Sequence, residues 1–370
     1  MRVLVVNAGS STLKLTLLDG DDATIASREL PAPRAAVDPD ALREALRAGL
    51  GEADAVGHRV VHGGERFRAA VAIDAGVEAE LRELVDLAPL HQPKSLAALD
   101  AVSRELPGLP AVACFDTAFH GTLPPAAATY AIPREWRERW GLRRYGFHGL
   151  SHAWVARRAP QLLGGDAAGL RIVSCHLGAG ASLCAIHDGA SRDTTMGFTP
   201  LEGLVMATRS GSVDPGMLLW LLEHERLTAA ELADALEHRS GLLGLAGSAD
   251  MREVLERATA TERTELGERA QLALDVYVHR LRAGIAAMAA ALGGLDALVF
   301  TGGVGERSAA MRERAASGLA FLGVALDRAL NTEAEPDAEV SGVDAPVRTL
   351  VIAAREDLEI AWQVRALLGR

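Results

Sequence analysis

Three runs of small residues follow apolar stretches: Asn7-Ala8-Gly9-Ser10-Ser11-Thr12 with Lys14 close behind, Leu177-Gly178-Ala179-Gly180-Ala181-Ser182, and Thr301-Gly302-Gly303-Val304-Gly305. Turns without bulky side chains let backbone N–H groups converge on phosphate oxygens, so three together point to phosphate chemistry. None is a GxxxxGK[ST] loop or a full GxGxxG opening a βαβ unit, and each alone reads more readily as a tight hairpin turn. Two arginines stand in polar, glycine-flanked surroundings, Arg59 in GHRVVHGGE and Arg209 in TRSGSVDPG. Two guanidiniums can neutralise a phosphoryl group in transfer. The competing reading is a pair of local salt bridges, Arg59 to Glu65 and Arg209 to Asp214. Seven of the 11 histidines are His58, His62, His91, His120, His148, His152 and His176. His148 and His152 have the i,i+4 spacing of a zinc-binding helix. The Glu expected directly after the first His is missing, however, Gly149 weakens a helix there, and no cysteine lies at ligand spacing. A histidine at a helix start that hydrogen-bonds an oxyanion fits better. Asp116 follows an apolar run and reads as a base, as an orienter of an arginine, or as a cap. Glu356 reads as a holder of a divalent metal through water.

The elements that must position these residues begin with a repeat. Residues 2–20 (RVLVVNAGSSTLKLTLLDG) and 171–189 (RIVSCHLGAGASLCAIHDG) align without a gap at an offset of 169. Each copy is an apolar strand, a small-residue turn, a second strand and an Asp-Gly turn, which is hairpin grammar. Two such copies half a chain apart imply duplicated halves. Strands are expected at 54–61, 110–115, 295–301 and 347–353. Helices are expected at 77–87, 94–105, 150–163, 215–224, 228–238, about 262–292 and 307–318, which makes the class α/β. In the long helix Leu266, Ala270, Ala273, Leu274, Tyr277, Leu281, Ile285 and Met288 recur at helical spacing and form a packing stripe. Residues 333–346, with Pro336, Gly342 and Pro346 among acids, read as a solvated loop.

The 370 residues carry 38 Lys+Arg against 49 Asp+Glu, a net charge of −11, which argues against nucleic-acid or anionic-membrane partners. At roughly 150 residues per domain the length implies two domains. With 49% hydrophobic residues the chain can bury a core without disulfides. Cys114, Cys175 and Cys184 lie in or beside apolar runs without CxxC spacing and read as buried, reduced thiols of a cytoplasmic protein. No signal h-region or membrane span is evident.

The segments NAGSSTLK (7–14), GHRVVHGGE (57–65), APLHQP (88–93), FDTAFH (115–120), RRYGFHGLSH (143–152), DTTMGFTPLEG (193–203), TRSG (208–211), SGLLGL (240–245) and FTGGVGE (300–306) resemble the acetate kinase (acetokinase) family, in the family's order and over nearly the whole chain. FDTAFH and MGFTPLEG are the specific ones. The resemblance implies the duplicated actin/hexokinase-like (ribonuclease H-like) fold, two domains around a cleft that closes against water. It places one domain at 1–122 plus 358–370, and the second at 123–357, carrying the nucleotide and most of a homodimer interface. A location for that interface on the alanine-rich face of 283–292 is expected. The implied reaction is reversible phosphoryl transfer from MgATP (or MnATP) to acetate, giving acetyl phosphate and ADP, with propionate as a poorer substrate.

By motif, the resemblance makes His148, Arg209, Arg59 and Asp116 catalytic. Arg59, Val61, Leu90, Phe147 and Pro200 would bind the acyl substrate. Lys14, Ser10, Thr12, His176, Gly178, Gly180, Asp250, Met251, Arg252, Gly303, Val304, Gly305 and Arg307 would bind nucleotide and phosphate, and Asn7 and Glu356 the metal. A carboxylate nucleophile is already ionised at neutral pH, so an orienting role is expected for Asp116 rather than that of a base. The chain departs from the family pattern at Ala179 and Arg355, each usually Asn, at Arg307, also usually Asn, and at Thr12, usually Ser. It is also short between residues 20 and 57, where surface hairpins are expected to be trimmed. Two other readings remain: a pyrophosphate-dependent or propionate-preferring kinase of this fold, for which Arg307 folded into the adenosine pocket would speak, and a non-catalytic nucleotide sensor, which should have lost Arg59, His148 or Arg209.

Overall fold

The structure is a computed structural model describing residues 1–9, 12–32, 38–87, 92–262 and 264–369. It divides into two compact units, the first comprising Met1–Gly121, Phe147–Trp154 and Arg355–Arg370, the second Thr122–Gly146 and Val155–Ala354.

The first unit is built on strands β1 (Val3–Ala8), β2 (Thr12–Leu18), β3 (Thr24–Pro31), β4 (Ala55–Val60), β5 (Val71–Ala72) and β6 (Ala111–Phe115) in the order β3-β2-β1-β4-β6-β5. The second uses β7 (Arg171–Leu177), β8 (Ala181–His187), β9 (Ala190–Thr194), β10 (Ala297–Thr301), β11 (Ala338–Glu339) and β12 (Arg348–Val351) in the order β9-β8-β7-β10-β12-β11. In both, a three-stranded meander continues into two parallel strands and ends on an antiparallel edge. This is the duplicated actin/hexokinase-like architecture. The duplication reaches individual hydrogen bonds. The N–H of Arg2 donates to the Asp54 carboxylate while Asp54 N–H returns to Arg2 C=O, and Arg171 and Asp296 repeat both contacts. One detail differs from the gapless alignment. Ala8 pairs with Leu13 but Leu177 with Ala181, so the first turn holds one residue more than the second.

Alternation of side chains across β1 and β4 explains both faces of the first sheet. Leu4, Val6, Leu13, Leu15 and Val56 face Ala98 and Val102 of the helix Gln92–Glu105. Val3, Val5 and Ala55 face Ile360 and Val364 of the helix Glu356–Leu368. Gly57 is required on that second face, since a Cβ there would lie 2.5 Å from Ile360 Cγ2 and 2.8 Å from Val364 Cγ2. In the second unit the helix Glu265–Leu292 starts at a Thr264 cap and stops at Gly293 in the left-handed conformation, as cap chemistry dictates. It buries the expected stripe from Ala270 to Met288 against β7 and β8, but Leu266, in its first turn before the helix reaches the sheet, is half exposed.

Residues 333–346 are not simply solvated. Ala338–Glu339 adds the edge strand β11, and Val340 is fully buried behind it. The helix expected at 307–318 is two, Gly302–Arg307 and Ala309–Ala316, with Ser308 capping the second. All three cysteines are buried, and none is in a disulfide among the described residues. Among the described residues no helix is long and apolar enough to cross a membrane.

Candidate active site

In parallel sheets, ligand-binding groups gather beyond the carboxyl ends of the strands. Val5 pairs with Gly57 and Arg59 with Cys114, so Asn7, Arg59 and Asp116 emerge side by side at the ends of β1, β4 and β6. Arg59 is neither exposed nor paired locally with Glu65. Its Nε and Nη2 grip both oxygens of Asp116 at 2.8–3.2 Å, and its Nη1 donates to Asn7 Oδ1 at 3.0 Å while lying 3.3 Å from Glu356 Oε2. Asn7 Nδ2 donates to the same Glu356 oxygen at 3.1 Å. Burial pushes Asp116 up and the guanidinium opposes it. For Arg59 desolvation is outweighed by attraction to Asp116 and Glu356, which holds the guanidinium charged. Two carboxylates against one guanidinium leave this cluster net negative.

The same segment fixes His148. Gly149 N–H donates to Asp116 C=O at 2.8 Å, and a Cβ at Gly149 would stand 2.1 Å from that oxygen, so only glycine fits in HGLSH. One residue earlier, His148 has φ +55°, a conformation that is uncommon outside glycine and concentrates at functional sites. Phe147 is buried, and its carbonyl meets His120 Nε2 at 3.0 Å. Val61 is half-buried and Lys14 is exposed opposite Asn7 in the β1–β2 register, with Thr12 at the start of β2. Ser10, Leu90 and His91 lie outside the described residues.

In the second unit the turn after β7 closes with Gly178 N–H on Gly180 C=O, and Ala179 C=O accepts from Ala207 N–H. That bond fastens the small-residue turn to the segment leading into Arg209. Arg209 donates to Pro200 C=O at 2.7 Å and stands 3.9 Å from Glu237 Oε2. Asp214, its partner in the competing local reading, instead caps the helix Pro215–His224. Burial lowers the Arg209 pKa, with Glu237 opposing. Gly241 of SGLLGL has φ +62°, and a Cβ there would lie 2.2 Å from Met206 O and 2.7 Å from Arg209 O.

His176 pairs with Thr301 across β7 and β10, bringing the second and third small-residue turns together. The third turn is the helix Gly302–Arg307. A Cβ at Gly303 would meet open space, Val304 is half-buried, Gly305 is buried, and Arg307 is exposed. Asp250 caps the helix Met251–Thr259, grips the Arg252 guanidinium, and is held down to about 2 by that side chain. Met251 is buried and Arg252 exposed.

Two further residues hold the third turn and are not evident from the sequence. Glu306 Oε1 accepts from Gly302 and Ala354 N–H, tying β10 to the segment after β12. Arg312, fully buried, donates to the carbonyls of Gly305, Glu306 and Asn331 and to Asn331 Oδ1. The ties to Asn331 and Ala354, 19 and 48 residues away, leave no local pattern.

Among the described residues no group of three or more His, Cys, Asp or Glu is poised to hold a metal. Glu356 and Asn7 beside a net-negative cluster fit instead an ion that keeps most of its oxygen ligands from water and phosphate, which is magnesium's habit.

Residues 35–362 match the acetokinase family. The chain is 50% identical over 322 residues to an acetate kinase of a Nostoc species (strain PCC 7120), covering 87% of this chain and 78% of that one. The crystal structure of Porphyromonas gingivalis acetate kinase superposes with a TM-score of 0.89 at 37% identity over 99% of both chains. A propionate kinase from Francisella tularensis superposes equally, at 0.89 and 34% identity over 98% of both. On a match of this extent, with the motif residues set at the strand ends of both sheets, the chain belongs to the acetokinase family.

Proposed function

We propose that this protein is an acetate kinase, transferring the γ-phosphoryl group of ATP to acetate reversibly, with Arg59, Val61, Phe147 and the metal-side groups on the first unit and Pro200, Arg209 and the nucleoside-side groups on the second. The observation that carries the reading is Arg209, a half-buried guanidinium whose backbone segment is bonded to a phosphate-type turn and whose nearest carboxylate stands 3.9 Å away. Such a cation favours an anion arriving beside it. Acetate needs no base, so Asp116, whose oxygens both serve Arg59, acts by orienting that guanidinium toward the acyl carboxylate. His148 donates to the equatorial phosphoryl oxygens. Val61, Leu90, Phe147 and Pro200 set the size of the acyl group. One extra methylene changes binding by only about 1–3 kcal/mol, so propionate is a poorer but real substrate.

Asn7 and Glu356 would hold Mg²⁺ (or Mn²⁺), which when bound neutralises phosphate charge. Lys14, Ser10, Thr12, His176, Gly178 and Gly180 attend the phosphates. Gly303, Val304, Gly305, Arg307, Asp250, Met251 and Arg252 attend the nucleoside. Arg307 lies exposed rather than folded inward, which favours ATP over pyrophosphate as donor.

Three buried thiols outside any disulfide suit a cytoplasmic enzyme. The helix Pro215–His224 buries none of its residues and exposes Met217, Leu219 and Trp220, a larger apolar surface than the alanines of 283–292, and we assign the homodimer contact there. Sedimentation of Trp220→Glu as a dimer would remove that assignment.

The reaction is tested by trapping acyl phosphate with hydroxylamine, with MgATP and Mg-pyrophosphate run in parallel against acetate, propionate and no acid. Product is expected with ATP and acetate, less with propionate and none without acid. Product from pyrophosphate alone transfers the reading to that donor, and no product while nucleotide still binds overturns catalysis altogether.

A further inference from the structure

The segment Asp116–His120 touches more of the first unit than its length suggests. Asp116 holds Arg59 with its side chain and Gly149 with its carbonyl, Thr117 Oγ1 accepts from Gly63 N–H at 3.0 Å, and His120 Nε2 meets Phe147 C=O at 3.0 Å. Residues 147 and 149 are thus pinned from the same short segment, on either side of His148. Two pins one residue apart on each side leave the backbone between them little freedom, and His148 is held there at φ +55°. A non-glycine residue in that region is strained and persists only where its surroundings over-determine it. Of these contacts, the one to Gly149 and the bond from His152 N–H to the His148 carbonyl are backbone to backbone and survive any side-chain change. The one to Phe147 depends on a single imidazole, fully buried, with its ring 5.8 Å from that of His152 in edge contact.

We infer that His120 is a positioning residue for His148: by donating from Nε2 to the Phe147 carbonyl it keeps residue 148 left-handed and so aims the His148 imidazole. It touches no substrate in this role. The inference rests on the phosphotransferase reading for its kinetic consequence but not for its structural one.

His120→Ala is expected to lower kcat at least tenfold with the KM values for acetate and ATP changed less than threefold. His120→Gln, whose amide nitrogen can reach the same carbonyl, is expected to recover most of that loss. In a His148→Ala background the His120→Ala change is expected to leave kcat where His148→Ala alone puts it, because a residue acting only through another falls silent when that other is gone. The His148 imidazole resonances are expected to shift in His120→Ala and return in His120→Gln, whether or not the protein turns over acetate. A full multiplicative loss in the His148→Ala background, or unmoved His148 resonances in a folded His120→Ala protein, overturns the inference. An inactive wild type with shifted resonances overturns the acetate reading and leaves the positioning role standing.

Discussion

Arg59 and Arg209 are almost equally buried, with 18% and 16% of their side chains exposed, yet their surroundings are opposite. Arg59 is gripped by both oxygens of Asp116 and flanked by Asn7 and Glu356. Arg209 has a backbone carbonyl and a carboxylate 3.9 Å away, and burial lowers its pKa where the acids raise that of Arg59. One guanidinium is already spoken for and organises its neighbours. The other has its nearest carboxylate 3.9 Å away and, under the proposed function, is the one an arriving anion meets. Motif reading treats the two as a matched pair, and it is the counter-charges that separate organiser from acceptor.

The sharpest way to break this contrast is Arg59→Ala. It strands Asp116, 3% exposed, and Glu356, 14% exposed, as buried carboxylates without a cation, and a loss of about 3–5 kcal/mol in urea unfolding is expected. A change below about 1 kcal/mol would show that Arg59 does not organise the cluster. Arg209→Ala should do the reverse, dropping turnover at least ~10²-fold while the midpoint of unfolding barely moves. Near-normal turnover removes its assigned role.

A pH ramp sharpens the comparison further, because the first unit also holds His58. That imidazole lies in the centre of β4 with neither ring nitrogen hydrogen-bonded among the described residues, and burial pushes it down to about 4. The unfolded chain takes up a proton near pH 6.5 that the folded one refuses, so stability is complete above that pH and falls as pH drops toward 4. The loss expected from His58 is about 2 kcal/mol by pH 5, read as faster amide exchange in β4, and His58→Leu should remove that share, leaving the part due to His62, which burial also pushes down to about 4. An unchanged slope in that variant would put the acid sensitivity elsewhere.

Much of this was legible in the sequence for a physical reason. Apolar runs ending in small-residue turns, repeated in order, specify strands and their hairpins locally, and both sheets followed. The stripe from Ala270 to Met288 was readable because a helix against a sheet has one buried face. Leu266 was misread because periodicity does not say where the packing partner begins. For Arg59 the competing local reading names Glu65, a neighbour in sequence, whereas its partners Asp116 and Glu356 arrive through strand order and a helix late in the chain. Gly149 and Gly241 stood inside recognised motifs, but their reason, a carbonyl just over 2 Å from any Cβ, is visible only in three dimensions.

The helix Glu356–Leu368 belongs with the first sheet although it follows the entire second unit in the chain. During synthesis β1, β4 and β6 therefore leave the ribosome long before the helix that covers Val3, Val5 and Ala55 and supplies Glu356. Domains otherwise tend to fold from the N-terminus as they emerge. Here the earlier half must wait, with one sheet face bare, while the later half can close first. A chain that stalls anywhere before Arg355 lacks both the cover and the second carboxylate beside Arg59. Assembly of this cluster thus doubles as a check that translation has run through the helix, and nascent chains paused in the second unit are where chaperone binding to the uncovered face of β1 and β4 should be sought.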